Sequence, residues 1–232
     1  MRGDRIWAVV PAKDLADAKS RLAGVLSADE RRKLAVTMLQ DVLVALAAVS
    51  ALAGIAVVTR DPELAGHARS IGARVIADLR HAGPNAEVTL GITRLAAAGA
   101  TGIIVIPADV PMVTPAAIEE IIRSMETPPG VVLVPALADM GTNALALTPV
   151  DAIPPCFGPQ SFFRHQEAAL ARGLAPRILR LPEIGFDLDR PEDLATLLEQ
   201  PSGAKSHTFL SECGFPTRLK TRSWPSVRRV ET

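Results

Sequence analysis

The chain has 232 residues, 48% of them apolar and only 3% aromatic, which is enough for one domain with a full core built from Ala, Leu, Val and Ile. Net charge is zero but uneven. Beyond Gln200 stand six basic residues (Lys205, Arg218, Lys220, Arg222, Arg228, Arg229) and two acids (Glu212, Glu231), so residues 1–200 carry four net negative charges. A mildly acidic body argues against nucleic acid as a partner of the main domain, and the apolar run Val42–Val49 behind Asp41 is too short to span a membrane. The two cysteines, Cys156 and Cys213, lack metal-type spacing, and no charged-then-apolar leader opens the chain, so a reducing cytoplasm is the expected home.

Ile6–Val10 reads as the first strand, and Pro11–Leu22 as a polar, basic connection. Ser27 and Glu30 have capping-box spacing ahead of a helix whose buried stripe is Leu34, Met38, Val42, Ala45 and Val49. Gly54–Thr59 is a second strand. Asp61 then caps a helix with Pro62 at its first position, ending at Ile71–Gly72. Ala73–Ala77 is a third strand, His81–Asn85 a turn, and Ala86–Ala98 a helix stopped by Gly99.

The apolar, β-branched run Ile103–Ile106 reads as a buried parallel strand and opens at Pro107 into a turn holding Asp109. Thr114–Pro115 starts a helix with Ile118, Ile121, Ile122 and Met125 inward. Val131–Pro135 and Ala144–Leu147 are further strands, Ser161–Ala171 a helix, Ile178–Leu181 a late strand and Pro191–Leu198 a last helix. Strands alternating with helices predict an α/β fold: a single Rossmann-like domain over residues 1–200, its mostly parallel sheet covered on both faces. Residues 201–232, without clear periodicity, read as a basic, poorly ordered tail.

Chemistry is expected outside the carboxyl ends of the strands, where open α/β sheets bind ligands. Asp109 lies there, either holding a divalent cation or capping its turn. Lys13, Lys19 and Arg21 follow the first strand; they suit a triphosphate, although no P-loop or GxGxxG pattern is present, and they also suit a solvated loop. Asn85 either caps a helix or reads a base or ribose edge. In GFDLD, Asp187 and Asp189 are two apart, so an extended backbone points both carboxylates the same way, as metal ligands require. Asp189 can instead cap the helix at Pro191. GTNA and FGPQS place glycine beside a hydroxyl near element starts, and Ser161 at a helix N-terminus suits an anion or a plain cap. His67, His81, His165 and His207 have no ligand spacing and read as surface or capping residues.

PAKDLADAKSRL, the PAD turn at Asp109, GTNAL, FGPQSF and GFDLDRPEDL occur in that order. In these blocks the chain resembles, over about residues 5–198, the 2-phospho-L-lactate or phosphoenolpyruvate guanylyltransferases of coenzyme F-420 biosynthesis. The resemblance implies a nucleotidyltransferase of the GT-A-related kind, with GTP and a phosphorylated three-carbon acid as partners and Mg2+ as cofactor. Asp109, Asp187 and Asp189 would hold the metal. Lys13, Lys19 and Arg21 would contact the triphosphate, with Asp109, Lys13 and Lys19 as the catalytic set. Asn85 would match a nucleotide-side asparagine, although Pro84 stands where the family has Leu. Thr142, Gly158 and Ser161 would contact the acid. The acid could be phosphoenolpyruvate, 2-phospho-L-lactate or 3-phospho-D-glycerate, and self-association into a homodimer stays open. The PAD turn is shared with other nucleotidyltransferases, so an acceptor such as a sugar phosphate or the molybdenum cofactor, or a GTP-binding module without turnover, remains an alternative.

Overall fold

Ile103, Ile104, Val105 and Ile106 are fully buried, and the rest of the sheet is arranged around them. The computed structural model describes residues 5–77, 83–125, 128–200 and 203–215. In chain order its main elements are β1 (Ile6–Pro11), α1 (Ala28–Ala47), β2 (Gly54–Val58), α2 (Pro62–Ser70), β3 (Arg74–Ile76), α3 (Pro84–Ala97), β4 (Gly102–Val105) and α4 (Pro115–Ser124). There follow β5 (Gly130–Pro135), β6 (Thr142–Thr148), α5 (Ser161–Leu170), β7 (Arg177–Ile178), α6 (Pro182–Gly185), α7 (Pro191–Glu199) and α8 (Lys205–Glu212).

The seven strands run in the order β3-β2-β1-β4-β6-β5-β7. Every pairing is parallel except those of β6, which is antiparallel to both β4 and β5. Reversal follows from the hairpin joining β5 to β6, since a short turn can only return the chain antiparallel. It has a consequence for function. The start of β6, at Thr142, comes to the same rim as the carboxyl ends of β1, β4 and β5.

Strand alternation divides the core. Ala8, Val10, Ile104 and Ile106 face α1, α2 and α4, and Val9, Ile103 and Val105 face α3 and α5. Leu34, Met38, Val42 and Ala45 of α1, and Val49 just past its end, are all buried, each large member contributing about 1.5–3 kcal/mol of apolar transfer. Ser27 and Glu30 form the expected capping box. Asp61 and Thr114 cap α2 and α4. Helix α3 lies so close to the sheet that a Cβ on Gly91 would come within 2.9 Å of Val9.

Three readings need correction. The late strand is β7, two residues long, because the chain bends after Ile178 into Pro182 and α6. Helix α3 begins at Pro84 behind Gly83, so Asn85 lies inside its first turn, while His81 is outside the described residues. The stretch read as a poorly ordered tail contains α8. Leu210 and Phe215 are buried with Leu22, Leu26, Leu34, Met38, Leu188, Leu194 and Leu197. Its first turn has no capping side chain of its own. Asp41 of α1 supplies one instead, accepting from Lys205 N at 2.6 Å, Ser206 N at 3.0 Å and Ser206 Oγ at 2.7 Å.

Candidate active site

A cleft of about 650 Å³ opens at this rim, within the range of small-molecule sites. Lys13, Lys19, Arg21, Asp109, Thr142, Phe157 and Asp189 all line it. Residues from opposite ends of the chain therefore share one cavity.

Its charged side is built around Lys19. The Lys19 Nζ donates to Asp109 Oδ2 and to Asp189 Oδ1, each at 2.7 Å, and Arg21 reaches Asp189 Oδ2 at 3.2 Å. The Lys19 side chain is only 9% exposed, against 31% for Asp109 and 38% for Asp189. Burial alone would lower the lysine pKa, but the two carboxylates outweigh it and raise it, so Lys19 is held charged. Its backbone is left-handed at φ 49°, a conformation that costs energy for a non-glycine residue and is kept only where surroundings impose it. The surroundings are visible. Asp61, buried at the start of α2, accepts from Leu15 N at 3.1 Å, and Arg60 pairs with Asp14 at 2.9 Å. These bonds fix the loop that carries Lys13 at the mouth and Lys19 inside.

The two acid-bearing segments are joined through the backbone, Leu188 N donating to Asp109 O at 3.0 Å. Asp189 does not cap α7. Asp193 does so, reaching back to Asp189 N at 2.9 Å and Arg190 N at 2.6 Å, which leaves the Asp189 carboxylate to the cations. Burial pushes Asp189 up, but Lys19, Arg21 and Lys13 pull it below the ordinary carboxylate value. Asp187 goes the other way. Burial raises it, an Asn143 hydrogen bond at 3.1 Å opposes this, and the charges of Asp109 and Asp189 raise it further. Sequence reasoning passed over Asn143, whose amide also donates to the carbonyls of Ile184 and Gly185 at 3.0 Å each and so anchors the Asp187 segment to β6.

Among the described residues no three acid, His or Cys side chains are gathered closely enough to hold a metal ion as they stand. Lys19 bridges Asp109 and Asp189, and Asp187 is turned to Asn143. The donor set nevertheless fits a hard divalent cation in kind: three carboxylates, one with its pKa raised by burial and then by its neighbours' negative charge.

The other side of the cleft is built on hydroxyls and a buried histidine. Thr142 Oγ1 meets His165 Nδ1 at 2.9 Å and accepts from Ser161 Oγ at 3.2 Å. Cys156 N donates to His165 Nε2 at 2.8 Å. Ser161 opens α5 as read, but its side chain is buried behind Thr142. Gly158 is exposed, with φ 118°, which glycine alone adopts readily. His165, read from sequence as a surface or capping residue, is fully buried at the centre of this group. Burial first, and the neighbouring Arg164 charge second, lower its pKa to about 4. Asn85 belongs to this side as well. Its amide accepts from Phe157 N at 2.6 Å and donates to Phe157 O at 3.0 Å, so both of its polar ends are engaged with the backbone of the FGPQS loop.

An α/β sheet with a cation loop after β1, an acid after β4 and a paired-acid segment before the last helices is the arrangement expected of a nucleotidyltransferase, the class to which the relatives below belong. The solved structures agree on the fold. A nucleotidyl transferase from Methanothermobacter thermautotroptrophicus superposes with a TM-score of 0.62 at 18% identity, covering 90% of this chain and 100% of that one. The 4-diphosphocytidyl-2C-methyl-D-erythritol synthase from Anaerococcus prevotii also reaches 0.62, at 9% identity, over 90% of this chain and 97% of its own. Sequence narrows the class. Residues 6–231 match the family described as guanylyl transferase CofC like, and the chain belongs to that family. The match runs into the segment after Gln200, beyond the stretch where the sequence motifs alone showed a resemblance. A phosphoenolpyruvate guanylyltransferase from Sphaerobacter thermophilus is 42% identical over 201 residues, 86% of this chain and 96% of that protein. A 3-phospho-D-glycerate guanylyltransferase from Phenylobacterium zucineum is 36% identical over 208 residues, 88% of this chain and 95% of that protein. Among the described residues no helix is long and apolar enough to cross a membrane.

Proposed function

We propose that the protein transfers GMP from GTP to the phosphate of a small phosphorylated acid, releasing pyrophosphate, as a step toward coenzyme F-420. Phosphoenolpyruvate is the favoured acceptor, supported by the name of the 42%-identical relative, with 3-phospho-D-glycerate second on the 36%-identical one. The single observation that carries the reading is the shared cleft, cations and carboxylates on one side and the Thr142 hydroxyl, backed by Ser161, on the other.

The acceptor phosphate is itself the nucleophile. A phosphomonoester loses its second proton near pH ~6, so no general base is required. This suits a site whose buried histidine is neutral and bonded on both nitrogens. The physical obstacle is bringing two anions together. Lys13 and Arg21, with Lys19 behind them, oppose charge gathering on the triphosphate oxygens. Thr142 and the FGPQS loop hold the acid in line with the α-phosphorus. Asp109, Asp187 and Asp189 would hold Mg2+, which when bound supplies charge neutralisation and orientation of nucleophile and leaving group.

The test is incubation of the protein with GTP, Mg2+ and each acid in turn, with products read by mass spectrometry and pyrophosphate by a coupled assay. A guanylylated acid formed with phosphoenolpyruvate in preference to sugar phosphates is expected. Pyrophosphate release with a sugar phosphate alone would move the protein to another acceptor, and GTP binding with no product would make it a sensor.

A further inference from the structure

The polar group behind Thr142 has more order than a binding hydroxyl needs, and the proton of its imidazole can be assigned from the partners. Cys156 N–H is a donor with no other role available to it, so His165 Nε2 must accept and the ring must carry its proton on Nδ1. That proton points at Thr142 Oγ1, 2.9 Å away. Ser161 Oγ donates to the same oxygen at 3.2 Å. With Nδ1–H in one acceptor position of the Thr142 oxygen and Ser161 O–H in the other, both are filled. The Thr142 hydrogen is then left to project into the cleft that Thr142 lines.

We propose that His165 is a positioning residue for the acid substrate: its Nδ1–H, together with Ser161, fixes the Thr142 hydroxyl as a donor facing the cleft, so this end of the site selects an anionic oxygen. This rests on the acceptor reading above and deepens it. The ring is held from three sides. Cys156 N sets one edge, Phe157 packs against it edge-on with ring centroids 5.0 Å apart, and α5 carries it. Phe157 is in turn fixed by Asn85 through both of its backbone groups. Asn85 thus acts on the acid through Phe157 and His165. His165 stays neutral across the working range because burial disfavours its charge, and Arg164 beside it adds to this.

Nitrogen-15 NMR of the wild-type protein reads the tautomer directly. A protonated Nδ1 and an unprotonated Nε2 are expected at pH 7; the reverse tautomer, or an imidazolium, overturns the assignment. Adding phosphoenolpyruvate alone should shift these resonances where GTP alone does not, and the absence of any shift with the acid refutes the proposal without recourse to turnover. If the shift occurs but no acid is ever guanylylated, the transfer reading fails and the positioning role stands. In kinetics, His165→Phe keeps the bulk and removes both hydrogen bonds. It should raise the apparent KM for the acid about tenfold, the loss of one oriented hydrogen bond, while KM for GTP changes less than about twofold. His165→Asn, which can restore an N–H near the Nδ1 position, should recover part of the loss. Equal changes in both constants, or a lowered melting temperature with neither constant moved, would reduce His165 to a packing residue.

Discussion

The two ends of the cleft solve opposite problems. At one end charges meet: Lys19 lies between Asp109 and Asp189, the acids are about a third exposed, and Asp187 stands by with its pKa raised. At the other end the polar side chains of Thr142, Ser161 and His165 are buried and bonded to one another, and the nearest charge to the ring is that of Arg164. Solvent reaches the carboxylates of the charged end. The hydroxyl end cannot rearrange without leaving a buried polar atom unpaired, which costs about 1–3 kcal/mol. Chemistry is therefore expected to depend on the first end and discrimination on the second.

The largest effect should come from Asp109→Asn. It keeps the side-chain shape and removes a charge, and turnover should fall by roughly three orders of magnitude with an unchanged circular dichroism spectrum. Near-wild-type activity would remove Asp109 from the mechanism. Next is Ser161→Ala, which takes one donor from Thr142. It should raise KM for the acid by about three- to tenfold and KM for GTP by less, in initial-rate measurements with each substrate varied. An equal rise in both would merge the two ends into one.

The same contrast has a pH signature. His165 has a folded pKa of about 4 against an ordinary 6.5. Below 6.5 the unfolded chain binds a proton that the folded chain refuses. The stability contributed by the neutral ring is full above pH 6.5, declines as pH falls toward 4, and levels off below that. Urea midpoints between pH 7 and pH 4 should drop more steeply for the wild type than for His165→Phe. Parallel curves would mean that the ring is not buried in the neutral form.

The smallest expected effects lie behind the charged end, at α8. Leu210 packs in one cluster with Leu188, between the two late acids, and with Leu22, next to Arg21. Leu210→Ala should cost about 2 kcal/mol or more of stability and lower turnover less than about tenfold, because the helix steadies the acid and cation loops without touching substrate. Asp41→Ala, which uncaps α8, should cost about 1 kcal/mol by urea titration. A loss of turnover as large as that of Asp109→Asn would place α8 in the site itself.

What could be read from the sequence was local. The Ser27–Glu30 box, Asp61–Pro62, Thr114–Pro115 and the α1 stripe are set by residues three or four apart, and all of them are formed. The acids drew notice because Asp109 follows a run as apolar as β4 and because Asp187, unlike Asp189, had no helix start to cap; that Asp193 takes the cap and leaves Asp189 to Lys19 and Arg21 shows only in the fold. What escaped depends on distant partners. An apolar strand such as β6 carries no mark of its direction, so its reversal, which brings Thr142 and Asn143 to the rim, was not visible. His165 lies in an ordinary helix and gains its role from Cys156 and Thr142, which approach only after β6 and the FGPQS loop are packed. Helix α8 takes its cap from Asp41, 164 residues earlier, which no reading of the tail by itself could supply.

A crystal structure with phosphoenolpyruvate, Mg2+ and a GTP analogue whose α–β bridge is carbon would test the central claim most directly. The account predicts the acid's carboxylate or phosphate oxygens against Thr142 and the FGPQS loop, with the triphosphate along Lys13 and Arg21 and the acceptor phosphate facing Asp109, Asp187 and Asp189. Acid bound away from Thr142, or the triphosphate lying along Phe157 instead of Lys13, would contradict it.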